Sequence, residues 1–448
     1  MSRFRDPCGL AGRHGYAIMV AAGISAAVPR PLLGQAPSGQ LAERVTSVGD
    51  SSQTYALYLP PGYTKDRPWP ILFVLDPRGR ALLALRLFEQ AAAKLGWIVM
   101  SSYNSLSDGP PEPNVNAMDA MLRSAQDSLS IDPLRLYLAG FSGTARAVLK
   151  FAVPLRGHVA GVIAVGGALG FELGGPETSF GGDSTFAYFG AAGTGDFNYE
   201  EVLSMSERFG TTRVPFRFVG FGGTHSWPPA SICGDALEWL ELRAMRGRLR
   251  PTDSVWVRAR LETELARAAQ LERGGQWEQA LRLNEAIARD YAPWPRAGVA
   301  SARASALRGS PLVKRHQSEA RRLADRDQKQ AIDLQKTLAW ARSQKEPPTS
   351  ETLARKLRIP QLQEAAERGD SLPSASASRL LARIFVWLSF YEPRAYMENH
   401  SPDRALSMFE AAVRIGPIQG DGCPLLRAAL RAATAEQRVR LRGQCAQD

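Results

Sequence analysis

The sequence predicts an α/β fold, a mostly parallel sheet with helices on both faces, followed by an all-α, helical, repeat-like region. Three observations carry this. Between Thr54 and Arg246, short apolar runs alternate with stretches of helical periodicity, the pattern of βαβ units. Several runs, Trp69–Leu75 above all, are continuously apolar, as strands buried on both faces of a parallel sheet must be. Beyond Pro251 the strand signals stop and helical periodicity alone remains.

Taken in order, Thr54–Pro60 alternates and is ended by Pro60, Pro61 and Gly62. Trp69–Leu75 is broken by Asp76-Pro-Arg-Gly79, and Ala81 to Leu95 has helical spacing. Trp97–Met100 is the next strand, followed by a loop from Tyr103 to Pro113 and a helix capped by Asn114 that runs to about Leu129. Leu134–Ala139 leads into a sharp turn and a helix. Val159–Val165, Phe186–Gly190 and Phe216–Phe221 read as further strands, and the helix Ser231 to Arg246 closes the unit.

The turn at Gly140-Phe-Ser-Gly-Thr144 is the centre of the functional reading. A serine hydroxyl is a weak nucleophile and needs a base beside it and donors for the oxyanion. A tight strand-to-helix turn lifts the Ser Oγ above the sheet edge and aims N–H groups at the developing charge. The usual pattern is G-x-S-x-G; here Gly140 and Ser142 are in place, while Thr144 stands at the last glycine position.

In such a sheet the chemistry sits at the C-terminal ends of the strands, which selects partners for Ser142. Of the five histidines, His14 is in the leader, His158 precedes its strand, and His316 and His400 lie in the helical half. His225, in the Gly-rich loop after Phe221, follows a strand. Asp76, Asp108 and Asp196 follow strands and Asp183 precedes one. In the chain order Ser, Asp, His, Asp196 takes the acid position, although Gly-Asp-x-Asn is also good turn chemistry. The expected roles are Ser142 as nucleophile, His225 as base and Asp196 as the group that orients the imidazole. The expected oxyanion donors are the N–H of Gly143 and, because Pro77 has none, that of Arg78, with Gly79 next.

Together, Asp76-Pro-Arg-Gly, Ser102-Tyr-Asn-Ser, Gly140-Phe-Ser-Gly, Gly195-Asp-Phe-Asn and Thr224-His-Ser-Trp-Pro resemble α/β-hydrolases of the esterase and polyhydroxybutyrate-depolymerase type. The resemblance covers about Thr46 to Arg246. It implies an α/β-hydrolase fold and departs from the family at Thr144 and at Asp76-Pro77, where many relatives have His-Gly. Lids of this fold usually enter between the strands at Val159–Val165 and Phe186–Gly190. Here that connection, Gly166 to Ser184 with Phe171 and Phe180, is too short for a helical cap, so an open site for an accessible or bulky ester is expected.

The chain has 448 residues, enough for more than one domain. Arg3, Arg5 and Arg13, the apolar run Tyr16–Val28 and Gly34-Gln-Ala36 follow the plan of a secretory signal peptide. The expected division is residues 1–36 as signal peptide, 37–250 as the sheet domain and 251–448 as the helical domain, in an exported protein, periplasmic or secreted. The apolar run is short for a bilayer span, and no integral membrane segment is expected after cleavage. Of the four cysteines, Cys8 leaves with the leader, Cys423 and Cys445 are placed to pair in an oxidising compartment, and Cys233 stays unpaired. The net charge of +11 comes from scattered basic residues, with no basic run interleaved with aromatics, so no nucleic-acid partner is expected. No cofactor and no metal are expected.

In the second half, Arg258–Arg273, Glu278–Tyr291, Gly298–Leu307, Val313–Ser343, Thr352–Arg368 and Ser378–Phe390 read as helices, and Lys345–Ser350 as a linker. The charge-rich stretch Lys314–Lys336 reads as a solvated face. Ala268, Leu271, Gly275, Trp277, Ala280-Leu281 and Ile287 recur in part as Tyr396, Ala405-Leu406, Phe409, Ala412 and Pro417. The spacing resembles tetratricopeptide repeats, too few to stand alone, which leaves a protein partner open. The expected function is hydrolysis of small-molecule or polymeric carboxylic esters through a Ser-His-Asp triad. The alternative is an inactive hydrolase-like scaffold that acts through its helical domain.

Overall fold

In the computed structural model, the described residues are 39–155, 157–169, 186–369 and 371–445. The expected signal peptide, Cys8, His14, Phe171, Phe180 and Asp183 lie outside them. The described residues fall in one compact unit, and among them no helix is long and apolar enough to cross a membrane.

Eight strands make one sheet: β1 (Leu41–Thr46), β2 (Thr54–Tyr58), β3 (Trp69–Leu75), β4 (Ile98–Ser102), β5 (Ile131–Phe141), β6 (Val159–Val165), β7 (Ala187–Gly193) and β8 (Phe216–Phe221). The order is β1-β2-β4-β3-β5-β6-β7-β8, with β2 antiparallel to both neighbours and β3 to β8 parallel. This is the α/β-hydrolase fold. Its first strand, β1, was not expected: Leu41–Thr46 is half exposed at the sheet edge, so it carries little apolar signal.

The period-2 alternation of strand side chains feeds two cores. Trp69, Ile71, Phe73 and Leu75 of β3 enter one, with Met118 of α2 (Glu112–Ser128), Val148 of α3 (Gly143–Ala152) and Val202 of α4 (Tyr199–Phe209). Leu72 and Val74 enter the other, with Leu85 and Phe88 of α1 (Ala81–Leu95) and Leu237 of α5 (Ala230–Arg246). Gly161 of β6 lets α5 approach: a Cβ there would collide with the Leu240 side chain.

The helical half begins with α6 (Ser254–Arg273), α7 (Trp277–Asp290) and α8 (Gly298–Gly309). Leu242 and Met245 of α5 share a buried cluster with Val257, Leu261, Ile287 and Tyr291, so packing runs on across residue 250. A buried cation fastens the junction. Arg217 of β8 donates to Glu264 of α6 at 2.8 Å and Asp290 of α7 at 2.8 Å, and Trp239 Nε1 also donates to Asp290. Burial opposes the charge on Arg217, but Glu264 and Asp290 outweigh it and raise its pKa.

There follow α9 (Pro311–Ser343), α10 (Ser350–Lys356), α11 (Ile359–Ala366), α12 (Leu372–Val386), α13 (Glu392–Glu398), α14 (Pro402–Ala412), α15 (Gly422–Ala429) and α16 (Ala435–Leu441). The helix expected over Thr352–Arg368 is two helices, broken at Arg358, whose φ is 56°. A π-helical turn at Trp387–Tyr391 joins α12 to α13. Pro393 explains it, because a proline has no N–H to continue the α pattern. Lys345–Ser350 is held in place: Arg404 donates to the carbonyls of Gln344 and Lys345, and Ser407 to that of Pro348. Both expected repeat copies are helical hairpins, with Gly275 (φ 74°) in the first turn and His400 (φ 55°) in the second. Cys423 and Cys445 form a disulfide, and Cys233 is free and buried.

Candidate active site

Register places the site. Leu75 pairs with Gly140, Phe141 with Val165, Val165 with Ala191 and Gly193 with Phe221. The ends of β3, β5, β6, β7 and β8 therefore lie along one edge, and the loops that leave them carry the residues singled out above.

Ser142 sits between β5 and α3 at φ 55° and ψ −126°, a region that non-glycine residues rarely occupy. Its N–H donates to Val165 O at 2.8 Å, and its carbonyl accepts from Ala145 N–H at 3.0 Å. Gly140 is required, since a Cβ there would collide with the Thr144 carbonyl. Thr144, at the position where glycine is usual, is buried and polar. Its Oγ1 accepts from Phe141 N–H at 3.1 Å and lies 2.6 Å from Leu75 O and 2.7 Å from Phe141 O, to one of which it donates. The departure from the motif thus ties the elbow to the neighbouring strand.

His225 Nε2 lies 2.8 Å from Ser142 Oγ, and Nδ1 lies 2.9 Å from Asp196 Oδ1. With an ionised carboxylate, Nδ1 carries the proton and Nε2 is free to accept from the hydroxyl. Asp196 is 0% exposed, and its Oδ1 also accepts from Asn198 N–H at 2.8 Å. The imidazole packs between Phe141 and Phe197, with centroids at 4.7 and 4.3 Å, and its side chain is 21% exposed. The imidazole is thus packed between two rings and partly exposed at its edge.

The loop after β3, expected to supply a second oxyanion donor, differs from that expectation. Gly143 N–H, in the first turn of α3, has no intrahelical acceptor. Arg78 N–H, the expected second donor, instead donates to Asp76 Oδ1 at 2.9 Å, and Gly79 N–H to Asp76 O at 3.1 Å. Asp76 is the organiser of this region that sequence reasoning missed. It is 0% exposed, and its carboxylate accepts from Arg78 N, Arg80 N, Arg80 Nε, Arg80 Nη2 and Trp227 Nε1. It thereby joins the β3 loop to the His225 loop. Burial works against ionisation here, but the bonds from Arg80, Trp227 and the Arg78 backbone hold the carboxyl below its ordinary value. Its only sequence signal was an Asp directly before Pro at a strand end.

The expectation of an open site rests on the short β6–β7 connection. Residues 170–185 of that connection lie outside the described residues. The C-terminal helices, however, touch the site loops. Arg379 donates to Thr194 O at 3.2 Å and Arg383 to Phe197 O at 2.6 Å, on either side of Asp196. Tyr391 donates to Asp108 Oδ1 at 3.1 Å, Arg394 to Asp108 O, and Arg78 Nε to Asp421 at 3.2 Å. Helices distant in sequence thus border the cleft. Among the described residues, no group of three or more His, Cys, Asp or Glu could hold a metal ion.

No family model and no curated protein matches the chain. Similar solved structures include FphF, a fluorophosphonate-binding serine hydrolase of Staphylococcus aureus, at 15% identity and a TM-score of 0.36, covering 45% of this chain and 98% of that one. The S-formylglutathione hydrolase FrmB of Staphylococcus aureus is similar at 15% identity and a TM-score of 0.36, over 48% of this chain and 99% of that one. The feruloyl esterase module from Clostridium thermocellum is similar at 14% identity and a TM-score of 0.36, over 45% and 87%. At this level of similarity, the functional reading of the site rests on its own geometry.

Proposed function

We propose that the chain is an exported serine hydrolase that cleaves carboxylic esters through an acyl-enzyme. The observation that carries this reading is the hydrogen-bonded line from Ser142 Oγ through His225 to Asp196 Oδ1. In the first step, Ser142 Oγ bonds to the ester carbonyl carbon as His225 Nε2 takes its proton. The carbonyl oxygen gains the negative charge and meets Gly143 N–H at the positive end of α3. His225 then gives its proton to the leaving alcohol, and the acyl group stays on Oγ. Water attacks the acyl carbon with His225 again as base, the acyl–Oγ bond breaks as His225 returns the proton to Ser142 Oγ, and the carboxylic acid leaves. Asp196 keeps the Nδ1 tautomer and stabilises the imidazolium. The leader pattern at residues 1–36 and the Cys423–Cys445 disulfide support export. A sheet domain over 37–250 and a helical, tetratricopeptide-like domain over 251–448 complete the proposal.

The Arg78 N–H bound to Asp76 favours a second reading, an inactive hydrolase-like scaffold acting through its helices. Hydrolysis of p-nitrophenyl acetate and butyrate separates the two. The enzyme reading expects turnover that drops by at least about 10³-fold in Ser142→Ala. A folded wild type with no turnover would support the scaffold, and equal rates in both would reject Ser142.

A further inference from the structure

Away from the Ser142 cleft, α9, α11, α12 and the 356–358 segment line a half-open cavity of about 250 Å³. Sites for drug-sized ligands measure roughly 300–1,000 Å³, so this one suits something smaller. Its floor is apolar, built from Leu334, Leu357, Leu362, Leu380 and Ile384, all buried. Its other lining residues include four cations, Lys336, Lys356, Arg358 and Arg383, against one acid, Asp333. Asp333 lies 3.8 Å from Lys336. Lys356 Nζ rests over the Trp340 ring at 4.3 Å. Arg358 is exposed and makes no ion pair among the described residues.

Arg358 holds a left-handed backbone at φ 56°, a conformation that glycine would adopt without strain.

We propose that this cavity binds a short-chain amphipathic carboxylate, its alkyl tail on the leucine floor and its head group on Arg358 and Lys356. Apolar area favours the tail, and the guanidinium fork matches a carboxylate. Binding at this site is independent of the hydrolase reading. One consequence does rest on that reading. Arg383 lines the cavity and also donates to Phe197 O, and the Phe197 ring packs on His225. An occupant that displaces Arg383 therefore reaches the imidazole through a single residue.

The test is calorimetric titration of octanoate into the full chain carrying Ser142→Ala, which rules out turnover. The site predicts saturable one-to-one binding, weakened about tenfold by Lys356→Ala with Arg358→Ala and equally weakened when octanol replaces octanoate. Both lysine and arginine are exposed, and an unchanged melting temperature confirms that the double variant folds. A second variant, Leu362→Trp, fills the cavity and abolishes binding. No saturable binding, equal affinity for octanol, or full affinity in the double variant would overturn the site, the last by placing octanoate elsewhere. In the Ser142 protein, octanoate should change the rate of fluorophosphonate labelling, and the double variant should not respond. An unchanged rate with binding intact would reject the link through Arg383 and keep the site.

Discussion

Thr144 shows how a residue that breaks a motif can serve the same turn. Its hydroxyl bridges Phe141 N–H and a carbonyl at the β3–β5 seam. Thr144→Val keeps the shape and leaves buried backbone groups unpaired, at a cost of about 1–3 kcal/mol. Urea denaturation should show this loss, and Thr144→Ser should recover most of it. Asp196→Asn tests the acid differently: ester hydrolysis should fall by roughly 10⁴-fold with little change in melting temperature. Asp76 acts on stability. Its folded pKa lies below the unfolded value of about 3.9, so its contribution is present above that range and is lost as pH falls through the folded value. Asp76→Asn should therefore flatten the acid limb of the stability curve below about pH 4, read by denaturation at fixed pH. Ser142, His225 and Asp196 were legible because each follows a strand in a fixed chain order. Asp76 was not, because its five donors come from a loop fold and from Trp227, far along the chain.

Elements with a continuous apolar run were readable, and β3 and β6 have the expected limits. Those whose partners decide their conformation were harder. β1 hides in a polar segment, α4 follows the acid loop with a mixed surface, and the break at Arg358 is marked in sequence only by Pro360 in the first turn of α11. Arg383 and Phe197 couple α12 to the acid loop. Arg383→Ala should lower kcat by about tenfold through the freed Phe197 ring while KM moves less, and Arg383→Lys should restore part of it. The α6–α7 hairpin depends on Arg217. Glu264→Ala leaves that buried cation half-paired and should cost about 3–5 kcal/mol, measured by chemical denaturation.

At the scale of the whole molecule, the two halves were legible as sheet and helices, but their contacts were not. Arg217, Leu242 and Met245 look like ordinary strand and helix residues in sequence, yet they bury against α6–α8. A chain cut after residue 250 should therefore expose this seam and aggregate, as seen by size-exclusion chromatography. The Cys423–Cys445 link closes a loop with a sequence separation of 22. Its reduction should cost about 3 kcal/mol and lower the first thermal transition. The most direct measurement of the central claim is covalent labelling with a fluorophosphonate probe, followed by mapping of the modified peptide. An activated nucleophile predicts a single adduct on Ser142, absent in Ser142→Ala and strongly slowed in His225→Ala. A folded wild type that takes no label, or an adduct on another serine that persists in Ser142→Ala, would contradict it.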